Sequence, residues 1–425
     1  MKKMSKTIEN FRHLNVTNRF LFTVIKLTVA KAKDLVLLLA LLFLSCSNVI
    51  TGMFTNENCY IIDLDVEKEI SILYSSIFKN VKTIILETDN DCLLGLITEL
   101  QVFDGCIYVL DAYIAKSLFV FDMEGRFLHK IGSLGQGPGE YLKVSDFTID
   151  IENRFIFLLD YGKFVHKYHL DGTFINTINL QIERANTHFI QFYNNRLYAS
   201  FYAWDTTPDD YMIMEIDPMN GKTITQSLPI KYNKEWAESV FTGHSFFMSR
   251  LSSPPRYTQL FMNFVVSIGE EITPYIELKS DYLVTNKDLE NLSIGMFGDK
   301  LSSLQGKSKI WDVHCFVENE DFILLKYVFG YIDRYIAIFD KKTNTTKITK
   351  KLKNDLILIQ DNDFLYSNGN FRFSDINGVY EIILRPEILI KHDQENNLVP
   401  DLDQIDRLKM LDEDSNPIIF YYEFK

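Results

Sequence analysis

The chain has 425 residues, with 44 Lys and Arg against 57 Asp and Glu, a formal net charge of −13 and 14% aromatic residues. A surface this acidic repels phosphate backbones and no basic stripe offsets it, which excludes nucleic acid as a partner. With 33 Phe, 22 Tyr, only 10 Pro and no Ser-, Gly- or Pro-rich linker, one large sheet-rich body is favoured over two or three linked domains.

Residues 1–45 read as a targeting segment. Lys26, Lys31 and Lys33 precede the apolar run Leu35–Leu44, which is too short to span a bilayer, and Ser45 supplies the small residue of a cleavage site before Cys46. Phe43-Leu44-Ser45-Cys46 resembles a bacterial lipobox. That resemblance implies diacylglycerol on Cys46, the membrane as a partner through that lipid, and a cell-envelope address at the outer membrane. Acyl chains contribute about 0.8 kcal/mol per buried methylene, enough to anchor the chain without a spanning helix. A plain signal peptide and an uncut signal anchor are the alternatives. The 34 residues before the apolar run are long for a leader and no Met lies between Met4 and Met53, so an over-long start is expected, with initiation at a non-Met codon near Leu27 or Val29. Without this leader, which holds eight Lys or Arg and two acids, the net charge becomes −19. No acidic run follows Cys46, so the periplasmic and surface-facing sides stay open. Residues 46–80 read as a tether and lead-in.

From residue 81 onward the pattern repeats. Ile107-Tyr-Val-Leu-Asp111 aligns on Ile156-Phe-Leu-Leu-Asp160 with a step of 49, and the turn glycines Gly125, Gly172 and Gly221 follow at 47 and 49. Short strands joined by tight turns at this period predict the four-stranded blades of a propeller, whereas βαβ units would need helical crossovers. Asp122-Met-Glu-Gly125, His169-Leu-Asp-Gly172 and Asp217-Pro-Met-Asn-Gly221 are hairpin turns, and the strands after the first two alternate polar and apolar, as outer strands with one wet face do. Six blades are expected, near 95–142, 143–182, 186–230, 243–283, 309–352 and 354–392, the fourth being the faintest. A ring must close, and Val81–Leu86 is the strand expected to complete the last blade. Helical spacing predicts a short insertion near 286–292 and a C-terminal helix over 401–411, packed on the outside. The fold class is therefore an all-β, six-bladed propeller over residues 81–425.

Gly132-Ser-Leu-Gly-Gln-Gly-Pro-Gly-Glu-Tyr141 is too irregular for a phosphate loop, since Pro138 stands where a Walker sequence needs Lys and a strand pattern follows it. Gly135, Gly137 and Gly139 are expected to take unusual backbone angles and Pro138 to fix another, so that the chain crosses between blades. This loop, with the preceding LFVFDMEGRFLHKIG and the following DFTID, resembles the six-bladed β-propeller lipoproteins of Bacteroidetes, relatives of the NHL-repeat propellers. The likeness covers almost the whole mature chain and implies fold and export but little chemistry.

No catalytic constellation stands out. Asp111 and Asp160 end equivalent strands, so they either line one end of the axis as ligands or accept amides from the next turn, and their repetition favours the second role. His166 and His169 lie three apart on one strand, hence on opposite faces. Cys59, Cys92, Cys106 and Cys315 have no ligand spacing and read as free thiols, and no metal site is expected. Trp204 and Tyr211 bracket a polar loop suited to a binding face. The functional expectation is an envelope binding module for a protein or a glycan, with no cofactor. The alternatives are a metal-dependent hydrolase or lyase with acidic ligands at the channel mouth, where calcium would be the cofactor, and a structural envelope protein.

Overall fold

The computed structural model describes residues 59–64, 70–182, 187–201, 210–229, 246–247, 254–285, 287–288, 308–330, 333–360 and 371–425. The leader, Cys46 and Trp204 lie outside them, as does the expected helix near 286–292 apart from Lys287 and Asp288.

Among the described residues six sheets of four or five strands form the blades, and the blade strands are named a to d from the axis outward. Blade 1 holds Glu99–Phe103, Cys106–Asp111, Ser117–Asp122 and Phe127–Ile131; blade 2 holds Val144–Asp150, Phe155–Asp160, Phe164–His169 and Phe174–Asn179. Blade 3 holds Phe189–Tyr193, Arg196–Ser200, Tyr211–Ile216 and Thr223–Pro229. Blade 4 is Phe246–Phe247, Arg256–Tyr257, Phe264–Ile268 and Ile272–Lys279, and blade 5 is Ile310–Glu318, Phe322–Phe329, Asp333–Asp340 and Thr345–Thr349. Strand b of blade 4 is only two residues long, which gives it little sequence signal.

The amino-acid pattern follows from two-sided burial. Along strands b and c of blade 1, Ile107, Val109, Phe119 and Phe121 pack on blade 6, while Tyr108, Leu110, Leu118 and Val120 pack on blade 2. Both faces are dry, so these strands read as continuous apolar runs. Strand d has a wet face, and Phe127–Ile131 accordingly alternates between half-buried or buried and exposed positions. Innermost strands are stitched across blades: Gln101 Nε2 donates to the Phe147 carbonyl at 3.0 Å, and the Ile190 and Phe192 amides donate to Asp146 Oδ2 at 2.7 Å and Thr148 Oγ1 at 3.0 Å. Antiparallel order places b–c turns and d–a loops at one end of the axis, the upper face, and a–b and c–d hairpins at the lower face.

Closure uses both ends of the propeller. Blade 6 combines Phe371–Ser374, Gly378–Ile383, Ile418–Phe424 and, as its outer strand, Phe78–Ile85, whose register runs from Ile85 opposite Ile418 to Phe78 opposite Phe424. The closing strand read at Val81–Leu86 is thus present, beginning three residues earlier. The lead-in before it also joins sheets: Tyr60–Asp63 lies parallel to Ile276–Lys279 at the outer edge of blade 4, and Ile72–Leu73 pairs with Leu352–Lys353.

The sixth blade departs from the 354–392 expectation. Its b–c connection is the long segment 384–417, containing helix α1 (Pro386–Gln394) and the single-turn α2 (Ile405–Leu408). The spacing of Leu402, Ile405, Leu408 and Leu411 does produce helix, but only over four residues. This segment covers the free edge of the outer strand: the Thr83 amide donates to Asp403 Oδ2 at 2.9 Å, and Gln404 Nε2 donates to the Thr83 carbonyl at 2.5 Å. An uncovered edge would offer unpaired backbone groups to other chains.

Candidate functional site

Asp111 ends strand b of blade 1, is fully buried, and accepts four backbone amides. Gly95 and Leu96 donate to Oδ2 at 2.8 and 2.9 Å; Tyr113 and Ile114 donate to Oδ1 at 3.2 and 2.8 Å. Asp160 does the same job one blade on, accepting Leu142 and Lys143 amides at 3.1 and 2.6 Å on Oδ1 and facing His166 Nε2 at 3.3 Å on Oδ2. Burial pushes the Asp160 carboxyl up, but the His166 ring and the two amides outweigh it and hold it below the ordinary value. In both blades the carboxylate ties the segment entering strand a to the end of strand b. Their ligand capacity is consumed by the scaffold.

The glycine loop docks through the same device. Ser133–Leu134 pairs with Glu140–Tyr141 inside the loop, and Tyr168 Oη donates to the Gly139 carbonyl at 3.1 Å. Gly139 has φ +77° and its backbone passes so close to Phe174 that an added Cβ would lie 2.8 Å from that residue's Cβ. Gly135 and Gly137, expected to share such angles, do not have positive φ. They make room for Glu140, whose carboxylate accepts the Gly137 amide at 2.7 Å and would meet a Cβ on Gly135 at 2.0 Å. Pro138 lies between Gly137 and Gly139 in this segment, which is a loop followed by strand Val144–Asp150.

These anchored turns hold apolar side chains out in solvent. Tyr113 is 65% exposed and Ile114 66% on the b–c turn of blade 1; Tyr161 is 61% exposed on the b–c turn of blade 2, where Phe164 and the neighbouring Leu142 are also exposed. Tyr211, at the start of strand c in blade 3, is half-buried. His166 and His169 diverge as expected: His166 Nδ1 meets Thr177 Oγ1 at 2.8 Å, whereas His169 packs on Phe155 with ring centres 5.3 Å apart. Cys59, Cys92, Cys106 and Cys315 are free thiols.

Sequence reasoning missed the ionisable belt on the inner strands. Burial pushes Glu99 up to about 7 against the opposing charge of Arg372 from blade 6. Burial likewise raises Asp146 well above its ordinary value, with the Glu99 charge adding to it and the Ile190 and Phe147 amides opposing. Asp312 in blade 5 is raised to about 7 by burial, opposed by Arg334, and burial lowers Lys326 to about 8, opposed by Cys315 and Glu381. The available signal was an acid near the start of strand a, as in Val144-Ser-Asp146 and Glu99-Leu-Gln101. Among the described residues no three His, Cys, Asp or Glu side chains gather where a metal ion could sit, and no helix is long and apolar enough to cross a membrane.

The sequence profile of DUF4934, a domain of unknown function, matches residues 59–423. The chain belongs to that family. A protein of Bacteroides fragilis NCTC 9343 whose name assigns it by inference to the exported proteins has a similar structure, with a TM-score of 0.64 and 18% identity over 86% of this chain and 99% of its own. A member of the DUF4221 family from Bacteroides vulgatus ATCC 8482 aligns over 82% of this chain and 97% of its own, at a TM-score of 0.48 and 13% identity. No curated protein sequence matches. The span of the DUF4934 match coincides with the single compact unit from residue 59 onward, and the first of these likenesses shows the same fold.

Proposed function

We propose that this DUF4934 chain is an exported binding module, held at the cell envelope by lipid on Cys46, that receives a protein partner on the upper face of blades 1 and 2. The supporting observation is the set of exposed apolar side chains, Tyr113, Ile114, Leu142, Tyr161 and Phe164, carried on turns that Asp111 and Asp160 fix from beneath. Exposed aromatics on rigid turns offer large contact area with little ordering cost, the quality of interface anchors. Asp111 and Asp160 enter this reading as the supports of the surface, and Tyr211 extends it onto blade 3. The export half draws on the leader and on the inferred export of the B. fragilis neighbour.

The test compares affinity capture from envelope extracts by the wild-type chain and by the double variant Tyr113→Ser, Tyr161→Ser. A protein recovered by the first and lost by the second, with equal thermal midpoints, supports the reading; equal recovery overturns it. Intact mass of the purified native chain tests the anchor. A mature N-terminus at Cys46 carrying acyl mass is expected, and an unmodified Cys46 would refute lipid attachment.

A further inference from the structure

A second site lies at the lower face, where the a–b hairpins of blades 2 and 3 meet near the axis. Between them is a pocket of about 150 Å³ lined by Ile149, Asp150, Glu152, Phe192, Asn194 and Asn195. A space of this order takes one six-membered ring. Its apolar wall is rigid: Ile149 is 2% exposed, and Phe192 is stacked on Phe157 with ring centres 5.0 Å apart and planes 17° apart.

The polar groups divide into two kinds. Asp150 is spent on its own turn, accepting the amides of Glu152 and Asn153 at 3.2 and 3.0 Å and Asn153 Nδ2 at 2.8 Å. The side chains of Glu152, Asn194 and Asn195 make no hydrogen bond or ion pair among the described residues. They bring two amides, each both donor and acceptor, and one carboxylate acceptor to the edge of an apolar wall. A polar group with several hydroxyls on a ring with apolar C–H faces uses all of them at once. A simple cation would use only the acceptor oxygens and leave the apolar wall and the amide donors without a role, and an anionic ligand would meet Glu152.

The turn geometry singles out Asn195. In blade 1 the corresponding two-residue hairpin is Asp104-Gly105, with φ +53° and +73°; in blade 3 it is Asn194-Asn195, with φ +49° and +56°. Turns with two positive φ values favour glycine at the second position. Asn195 thus places an amide side chain at the second position of the turn, where blade 1 has glycine, and Asn is a residue that takes this backbone region readily. Blade 2 contributes the facing wall through a longer turn, residues 151–154, that carries Glu152.

The geometry points to a sugar-binding site here: the pocket between the lower hairpins of blades 2 and 3 holds a single pyranose ring, through Glu152, Asn194 and Asn195 against the Phe192 wall. This site is separate from the upper-face surface and stands whether or not that surface binds a protein.

Saturation-transfer NMR on the full chain in detergent, with millimolar methyl pyranosides of glucose, galactose, mannose, xylose, fucose and N-acetylglucosamine, tests it. Transfer to at least one sugar is expected, with affinity reduced about tenfold by Asn195→Gly and by Glu152→Gln, the effect of losing one or two hydrogen bonds. Asn195→Gly is expected to keep or raise the thermal midpoint, so that weaker sugar transfer in this variant reports the lost side chain and not a loss of folding. No transfer to any of the six sugars, or transfer unchanged in both variants, overturns the proposal. Tyr113→Ser, Tyr161→Ser should leave sugar transfer intact, so failure of the upper-face reading is seen separately.

Discussion

Replacing Asp111 with Ala removes the acceptor of four backbone amides at 2.8–3.2 Å in a fully buried position. Each donor left without a partner inside protein costs about 1–3 kcal/mol, and partial relaxation of the Tyr113 turn toward water takes the sum to roughly 4 kcal/mol. For a unit spanning residues 59–425 the unfolding entropy is about 0.8 kcal/mol/K, so the midpoint should fall by about 5 °C. Asp111→Asn keeps one acceptor oxygen and turns an NH₂ toward two amides, so it should lose at least half as much. Thermal unfolding followed by circular dichroism reads both. A drop below about 1.5 °C for Asp111→Ala, corresponding to little more than 1 kcal/mol, would refute the view that this carboxylate organises the upper turns.

The inner belt makes stability pH-dependent in an unusual direction. Glu99 and Asp312 have folded pKa values near 7 against 4.5 and 3.8 unfolded, so the folded chain binds more protons and stability is lost as pH rises from about 4 through 7. The upper bound is about 3 kcal/mol for Glu99, reduced by the solvent contact its side chain keeps; a urea midpoint that declines from pH 5 to 7.5, and declines less in Glu99→Gln, checks the sign. Gly125, at φ +83°, would place a Cβ 2.2 Å from the Ile85 carbonyl, where blade 1 meets the closing strand. Gly125→Ala should cost roughly 3 kcal/mol or more, while Gly105→Ala, at φ +73° with open space around it, should cost about 1–2 kcal/mol; equal urea midpoints for the two would contradict the close approach. A chain beginning at Glu87 lacks the outer strand of blade 6 and leaves Ile418–Phe424 as a bare edge. Loss of a single cooperative transition, with self-association on gel filtration, is expected, and a monomer of unaltered midpoint would contradict closure by Phe78–Ile85.

The carboxylates beneath the candidate upper surface were legible in the sequence, but the surface itself was not. Asp111 and Asp160 repeat at equivalent strand ends, and repetition signals scaffold; the four amides on Asp111 supply the reason. The apolar side chains above them, Tyr113 and Tyr161, carry no signal in the sequence that marks them as exposed. Only the turns on which they sit, and the direction the b–c connection faces, put them in solvent. The lower pocket was invisible for the same reason: Glu152, Asn194 and Asn195 look like turn residues, and their convergence depends on two hairpins from different blades meeting.

The sequence by itself determined the number of blades, the continuous apolar runs of the inner strands, the alternation of outer strands such as Phe127–Ile131 and the glycines of the tight turns, because these depend on neighbours within a few residues and on which faces are buried. Tertiary structure decided the rest. That Phe78–Ile85 closes against Ile418–Phe424, that Tyr60–Asp63 seats on blade 4, and that segment 384–417 covers the outer edge of blade 6 are pairings between distant positions. Such pairings are chosen by which strand edge is left unpaired once the ring has formed, and no local pattern carries that information.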